Sequence, residues 1–134
     1  MLTENKIQAK NIYEQAVRYM NNANKELQQA KKNGKVYQDI KHLRIACSTA
    51  YMAMLKALDG IFMLRNIPKP KRRASVEYYQ RELSEVDKKI LTSLNIAYNI
   101  LHLSGYYDGL NDVVTIKRGF EETEYIILKL KQFI

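Results

Sequence analysis

The sequence predicts an all-α protein that folds as an antiparallel, up-and-down bundle of four helices. Apolar residues recur every three or four positions in four long segments, and short stretches with Gly, Pro or capping residues separate these segments. No segment alternates between apolar and polar residues as a β-strand would. At 134 residues the chain has the length of one domain with one core, so we expect a single domain over residues 1–134.

The second predicted helix, from about residue 36 to residue 64, is the most informative segment. Its main apolar stripe holds Val36, Ile40, Leu43, Cys47, Ala50, Met54, Ala57 and Ile61. A row of alanines at positions 46, 50, 53 and 57 would let another helix approach closely. A third, roughly opposite row holds Ile45, Met52, Leu55 and Phe62. Because the helix is apolar on more of its circumference than a surface helix needs, we expect it to be the central helix or an interface helix.

The first predicted helix runs from about residue 3 to residue 32, with a row of alanines, Ile12, Met20 and Leu27 on one face. A short turn at Asn33 and Gly34 follows it. Because a short turn after a long helix favours an antiparallel neighbour, the first two helices should form a hairpin.

A basic connector follows the second helix. Two prolines interrupt the helical pattern there, because proline lacks a backbone N–H and restricts the residue before it. Every charged side chain in this stretch is positive, and together they form the densest basic run in the chain: Arg65, Lys69, Lys71, Arg72 and Arg73. The whole chain carries a net charge of +8. The connector is therefore either a solvated loop or a surface that contacts phosphates.

The third predicted helix starts after Ser75 and is interpreted as one long helix with a bend near Leu83. A new helix that starts at Ser84 and Asp87 is the alternative. A fourth helix begins near Asp112. Gly119 lies inside it, which is understandable if a neighbouring helix packs closely at that point.

A glycine-flanked turn at residues 105–109 separates the last two predicted helices. It contains the tyrosine pair Tyr106 and Tyr107, with His102 just before it. A tyrosine pair in a turn either packs onto the bundle or offers an exposed surface on which a partner or a nucleic-acid base could stack. We therefore treat these three residues as a candidate partner surface.

Two stretches carry a resemblance to a known family. The run from Ala46 to Leu58 resembles the second-helix signature of HEPN domains, with matches at Ser48, Ala50, Tyr51, Ala53, Met54 and Ala57. The stretch from His102 to Asp108, with the helix after it, is similar to the HEPN turn in which an Arg precedes an Ala-Asp-Tyr-like triplet. The resemblance covers residues 36 to 134 and implies an up-and-down bundle that often dimerises. The family includes RNA-cleaving toxins, partners of nucleotidyltransferases and inactive binding modules.

The sequence departs from the pattern of the nuclease members of that family. Those members carry an Arg followed about four to six residues later by a His. The Arg stabilises the charge of the transition state, and the His transfers a proton. Neither His42 nor His102 has an Arg at that distance, and the nearest Arg before His102 is Arg81. Thr49 also stands where the common second-helix pattern has an Arg. We therefore expect no enzymatic activity.

Other function classes find little support in the sequence. The chain has two histidines, and no carboxylate lies at the helical spacing that would let it share a metal ion with both, so we expect no metal site. The glycines occur singly and form no phosphate-binding loop, so we expect no cofactor. Cys47 is the only cysteine and lies on the apolar stripe, which indicates a small buried hydrophobe. The first ten residues are mostly polar, unlike a signal peptide, and no apolar run is long enough to span a membrane. We therefore expect no membrane contact and a cytoplasmic location.

These observations lead to a ranked pair of functions. The first is a non-catalytic interaction module that forms a homodimer, or binds a helical protein partner, through Ile45, Met52, Leu55 and Phe62. The alternative is a nucleic-acid-associated protein that uses the basic connector, residues 65–73. A ribonuclease that uses His102 and Tyr107 stays open as a third reading, because a dimer could bring together residues that one chain keeps apart.

Overall fold

The computed structural model describes the backbone of residues 2–134 and the side chains of residues 4–134. Its helices are α1 (Leu2–Gln29), α2 (Ile40–Leu64), α3 (Val76–Val86), α4 (Lys88–Ala97) and α5 (Val113–Phe133). α4 continues directly into a π-helical segment (Tyr98–Tyr107). A short antiparallel ribbon of β1 (Lys32–Asn33) and β2 (Val36–Tyr37) joins α1 to α2. Apart from this ribbon, the predicted all-α class is confirmed.

Helix α2 is the centre of the structure. It packs against α1, α5 and the π-helical segment. The alanine row at positions 46, 50, 53 and 57 is completely buried, as is the apolar stripe from Leu43 to Ile61. Small side chains on α2 therefore let its neighbours approach closely, as the sequence predicted. At Gly60 an added Cβ would lie only 2.8 Å from a methyl group of Leu130 on α5.

The start of α2 differs from the prediction. Val36 belongs to the ribbon and is exposed, so its place on the apolar stripe was wrong. The helix begins at Ile40 because the side chain of Asp39 accepts a hydrogen bond from the backbone N–H of His42 and caps the first turn. The backbone N–H of Tyr37 donates to the carbonyl of Asn111 at 2.8 Å, which ties the ribbon to the start of α5.

The long third helix of the prediction is two helices. Asp87 has an extended backbone, with φ −159° and ψ 104°, and its carboxylate accepts hydrogen bonds from the N–H groups of Lys89 and Ile90 at 3.0 Å each. It thereby ends α3 and caps α4. Ser84, the alternative start, instead donates its hydroxyl proton to the carbonyl of Arg81 at 2.6 Å. The favoured interpretation of one bent helix was therefore wrong.

The π-helical segment packs tightly through two glycines. A Cβ added at Gly105 would lie 2.6 Å from the sulfur of Cys47 on α2, and one added at Gly119 on α5 would lie 2.8 Å from Ile100 and Leu101. The close approach predicted at Gly119 is confirmed. The backbone N–H of Asp108 donates to the carbonyl of Leu103 at 3.1 Å, five residues earlier, as in a π-helical turn. The tyrosine pair therefore ends a helix rather than lying in a turn.

Candidate binding groove

An open groove of about 570 Å³ lies between α2, the basic connector, the start of α3 and the π-helical segment. We call it the aromatic groove. Its wall on α2 consists of Ser48, Tyr51, Met52, Leu55, Lys56 and Asp59. Its other walls consist of Lys69, Pro70, Arg72, Arg73 and Ala74 from the connector, Tyr78 and Tyr79 from α3, and His102, Tyr106 and Tyr107 from the π-helical segment.

The spacing of residues along α2 explains the first wall. Ser48, Tyr51, Leu55 and Asp59 follow one another at intervals of three and four, so they share one face of the helix. Space remains above this face because α3 makes its main helix contact with α4 rather than with α2. The break at Asp87 permits this arrangement, since α3 and α4 need not share one axis.

The connector is fixed to the helices on both sides of it. Asn66 adopts a positive φ of 58°, and the backbone N–H of Ile67 donates to the carbonyl of Phe62 at 2.9 Å. Further along, the hydroxyl of Tyr78 donates to the carbonyl of Pro68 at 3.0 Å. These hydrogen bonds hold the connector against the end of α2 and the start of α3, which places its later residues beside the groove.

The five basic residues of the connector separate into two sets. Lys69, Arg72 and Arg73 line the groove. Arg65 lies elsewhere, with its guanidinium 5.2 Å from the centre of the Phe133 ring, and Lys71 is exposed outside the groove lining. On α2, Lys56 adds a positive charge that the sequence analysis did not single out.

His102 lies at the centre of an aromatic cluster. Its ring stacks on Tyr51 at a centroid distance of 4.7 Å and on Tyr98 at 5.4 Å. It also contacts the tyrosine pair, at 6.1 Å from Tyr106 and 4.9 Å from Tyr107. Both of these tyrosines are exposed. The structure thus places the three residues of the candidate partner surface on one side of the groove.

A carboxylate lies among the aromatic side chains. The hydroxyl of the buried Tyr79 donates a hydrogen bond of 2.7 Å to Oδ1 of Asp59. Desolvation raises the pKa of Asp59 above its ordinary value, while the hydrogen bond from Tyr79 and the charges of Lys69 and Lys56 oppose that rise. Within residues 4–134, no hydrogen bond reaches Oδ2 of Asp59 from a protein donor.

Burial also controls the protonation of the rings. It raises the pKa of Tyr51 to about 12, with smaller contributions from Tyr98 and Glu77, and it raises the pKa of Tyr78 and of Tyr79. These tyrosines therefore remain protonated phenols at neutral pH. Burial lowers the pKa of His102, so its imidazole is neutral at pH 7.

The predicted interface row on α2 is only partly at the surface. Ile45 is 40% exposed and Met52 is 48% exposed, whereas Leu55 is partly buried. Phe62 is only 3% exposed, because its ring packs against Tyr78 and Tyr79 with centroids 5.7 Å away in each case. Phe62 is therefore a core residue of its own chain and was wrongly placed on an interface. Met52 and Leu55 lie on the wall of the groove.

Two other features bear on the choice of function class. In the described part of the chain, no three His, Cys, Asp or Glu side chains come together as a metal-binding group. His42 lies outside the groove, with Nδ1 2.7 Å from a carboxylate oxygen of Glu26. Among the described helices, α2 alone has the length and apolarity needed to cross a membrane, and 61% of its most apolar stretch is buried in the protein. We interpret α2 as a core helix on that burial.

The sequence analysis missed several groove residues. Lys56, Asp59, Tyr78 and Tyr79 were not singled out as site residues, and Tyr51 was named only as a match to the HEPN-like run. The available signal was the polar interruption of α2, where Ser48, Lys56 and Asp59 share a face of an otherwise apolar helix. Polar residues on an apolar central helix indicate a lined cavity or an edge.

Comparison with known proteins supports the fold. The protein is similar to a solved structure described as a protein of unknown function from Dyadobacter fermentans, at 37% sequence identity and a TM-score of 0.85. The similarity covers 94% of this chain and 98% of that chain. No curated protein matches the sequence. The family model described as "Domain of unknown function (DUF5618)" matches residues 11–132, so the chain belongs to the DUF5618 family.

Proposed function

We propose that this protein is a non-catalytic binding module that holds a single-stranded nucleic acid in the aromatic groove. The observation that carries the proposal is the meeting of two independent sequence features, the basic connector and the tyrosine pair, at one groove. Cations such as Arg72 and Arg73 suit the phosphates of a strand, and exposed rings such as Tyr106 and Tyr107 suit its bases.

The exposed rings of the groove support a single strand rather than a duplex. The groove has a volume of about 570 Å³, within the usual range for ligand clefts, and it is open to solvent. The bases of a duplex stack on one another and leave no face for a tyrosine ring, whereas a single strand has free faces. The net charge of +8 favours association with any polyanion and supplies the salt-dependent part of binding.

The surroundings of His102 support a role in binding rather than catalysis. Its imidazole packs against the rings of Tyr51, Tyr98 and the tyrosine pair. A general base in an active site is normally oriented by a hydrogen bond to a second polar group. Within residues 4–134, no side-chain hydrogen bond joins the His102 imidazole to a polar protein group.

We further propose that the helices form a HEPN-like, up-and-down arrangement, with α3 and α4 together in the place of the third helix. The support is the HEPN-like run from Ser48 to Ala57 on the central helix, where Tyr51 contacts the π-helical segment through His102. A cytoplasmic location belongs to the same proposal. A nucleic-acid ligand fits that compartment, and the buried thiol of Cys47 does not need an oxidising one.

Fluorescence anisotropy tests the proposed function directly. A labelled single-stranded RNA of about 12 nucleotides should bind at low salt and should be released as salt rises. A hairpin of equal charge should bind more weakly, because its bases are already stacked. Recovered RNA should be uncut. Binding that ignores salt, or that favours the hairpin, would contradict the groove as a strand site. Cleavage that disappears in His102→Ala would contradict the non-catalytic part.

A second candidate function follows from the exposed apolar side chains on α2. Ile45 and Met52 are 40% and 48% exposed, and with Leu55 they form a short apolar strip on the central helix. We propose that a homodimer or a helical protein partner covers this strip. Light scattering tests the homodimer. A wild-type dimer that becomes a monomer in Met52→Glu with Leu55→Glu would support it, and a monomeric wild type would contradict it.

A further inference from the structure

We propose that Asp59 recognises the base of the bound strand and favours guanine. This inference rests on the nucleic-acid function proposed above. It concerns one side chain whose charge is opposite to what phosphate binding requires. A carboxylate repels phosphate, so Asp59 on the wall of a basic groove must face a different part of the ligand.

The carboxylate is held in a defined orientation. Tyr79 is buried, its ring stacks on Phe62 at 5.7 Å, and its hydroxyl donates to Oδ1 of Asp59 at 2.7 Å. One oxygen is thereby fixed by the protein. The other, Oδ2, has no protein donor within residues 4–134 and belongs to a side chain that lines the groove. An acceptor that the protein orients and to which no protein donor is bound is suited to a donor on a ligand.

The exposed rings of the groove suit the stacking of a base. Tyr106 and Tyr107 line the same groove as Asp59 and are 40% and 60% exposed. A base that packs against such a ring directs its hydrogen-bonding edge sideways rather than toward the ring. Lys56 and Lys69 are near enough to attract the carboxylate, and the same charges suit the phosphate of that nucleotide.

The chemistry of the base edges then selects among the four bases. Guanine presents an imino N–H and an amino group side by side. Oδ2 accepts from one of them, and Oδ1, which has a second lone pair beside the hydrogen bond from Tyr79, accepts from the other. Adenine and cytosine place a ring acceptor beside their amino group, and that lone pair would face the carboxylate. Uracil presents one N–H between two carbonyl oxygens. Guanine is therefore the one base that offers two adjacent donors to Asp59.

Strands of equal length and charge test this inference. Anisotropy is measured with a labelled oligouridine of about 12 nucleotides and with versions that carry two central guanines, adenines or cytosines. The wild type should bind the guanine strand about tenfold more tightly than oligouridine. In Asp59→Asn the carboxamide still accepts from Tyr79, but it presents an amino group in place of an acceptor. That variant should bind oligouridine at least as tightly as the wild type does, because it lacks the charge that repels phosphate, and it should lose the preference for guanine.

Glu121→Gln is the matched control, because it removes an exposed carboxylate from α5 outside the groove lining. It should bind all four strands as the wild type does. Salt-dependent binding by the wild type without a guanine preference would overturn the role of Asp59 and leave the proposed function intact. A guanine preference that survives in Asp59→Asn would also overturn it. A wild type that binds none of the strands would overturn both proposals.

Discussion

The ring of His102 stacks on the ring of Tyr51 with their centroids 4.7 Å apart, which joins the central helix α2 to the π-helical segment. The tyrosine pair continues the same cluster to the protein surface. One histidine thus connects the core side of the groove to its exposed rim. Because burial lowers the pKa of this histidine, the cluster depends on a neutral ring.

The pKa of His102 predicts how stability changes with pH. Its folded pKa lies below the ordinary value of 6.5, so the unfolded chain binds this proton first as the pH falls. The wild type should therefore lose stability below about pH 6.5 relative to His102→Phe, which keeps a ring but does not titrate. Urea denaturation of both proteins from about pH 7.5 to about pH 5.5 measures the difference. Parallel stability curves would show that His102 contributes nothing to this dependence.

The division of the basic connector predicts which cations bind the strand. Arg72→Ala with Arg73→Ala should weaken RNA binding and reduce the slope of affinity against salt by about 1 to 2, since each phosphate contact on a single strand contributes about 0.7. Arg65→Ala with Lys71→Ala removes the same charge outside the groove lining. This control should change the slope much less. If the two double variants lost RNA affinity equally, binding would depend on the net charge of the protein and not on the cations that line the groove.

The contact between Gly105 and Cys47 predicts a steric cost. Gly105→Ala would place a Cβ 2.6 Å from the Cys47 sulfur and 3.1 Å from the carbonyl oxygen of Ile100. Overpacking of this kind costs about 1 to 3 kcal/mol in the free energy of unfolding. Denaturant titration measures it. The double variant Gly105→Ala with Cys47→Ala should recover part of the lost stability. The changes in the free energy of unfolding caused by the two substitutions should therefore not be additive. Simple additivity would show that the sulfur is not the obstacle.

The cap at Asp87 predicts a local effect on α4. Asp87→Ala removes the acceptor for the N–H groups of Lys89 and Ile90 and should lower the free energy of unfolding by about 1 kcal/mol. Asp87→Ser, which can cap in the same way, should lose much less. Glu85→Ala is a control, because Glu85 is exposed on the last turn of α3 and caps nothing in the described structure. A loss in Glu85→Ala as large as in Asp87→Ala would argue against the cap.

Much of the helix framework could be predicted from spacing alone. The apolar stripe from Leu43 to Ile61 and the alanine row of α2 are buried because a helix places residues three and four apart on one face. Gly60 lies inside this helix, at the point where Leu130 packs closely. Boundaries were less accurate: the ribbon and the Asp39 cap delayed the start of α2, and the Asp87 cap divided the third helix.

The groove could be predicted only in parts. Each of its walls was visible as a basic run, an apolar row or a tyrosine pair, but their meeting depends on contacts between residues distant in sequence. Tyr79 to Asp59 and Tyr51 to His102 are two such contacts, and no local pattern encodes them. The burial of Phe62 was missed for the same reason, because the two tyrosines that cover it come from α3. The π-helical register also has no signal in a spacing of three and four.

Light scattering on the wild type, alone and with a single-stranded RNA of about 12 nucleotides at low and high salt, tests the central claim most directly. We predict that the mass rises by one strand for each groove at low salt and returns to the value of the free protein at high salt. The free protein's mass reports in the same run whether the chain dimerises. A mass that the RNA leaves unchanged at low salt would contradict the account of the aromatic groove as a nucleic-acid site.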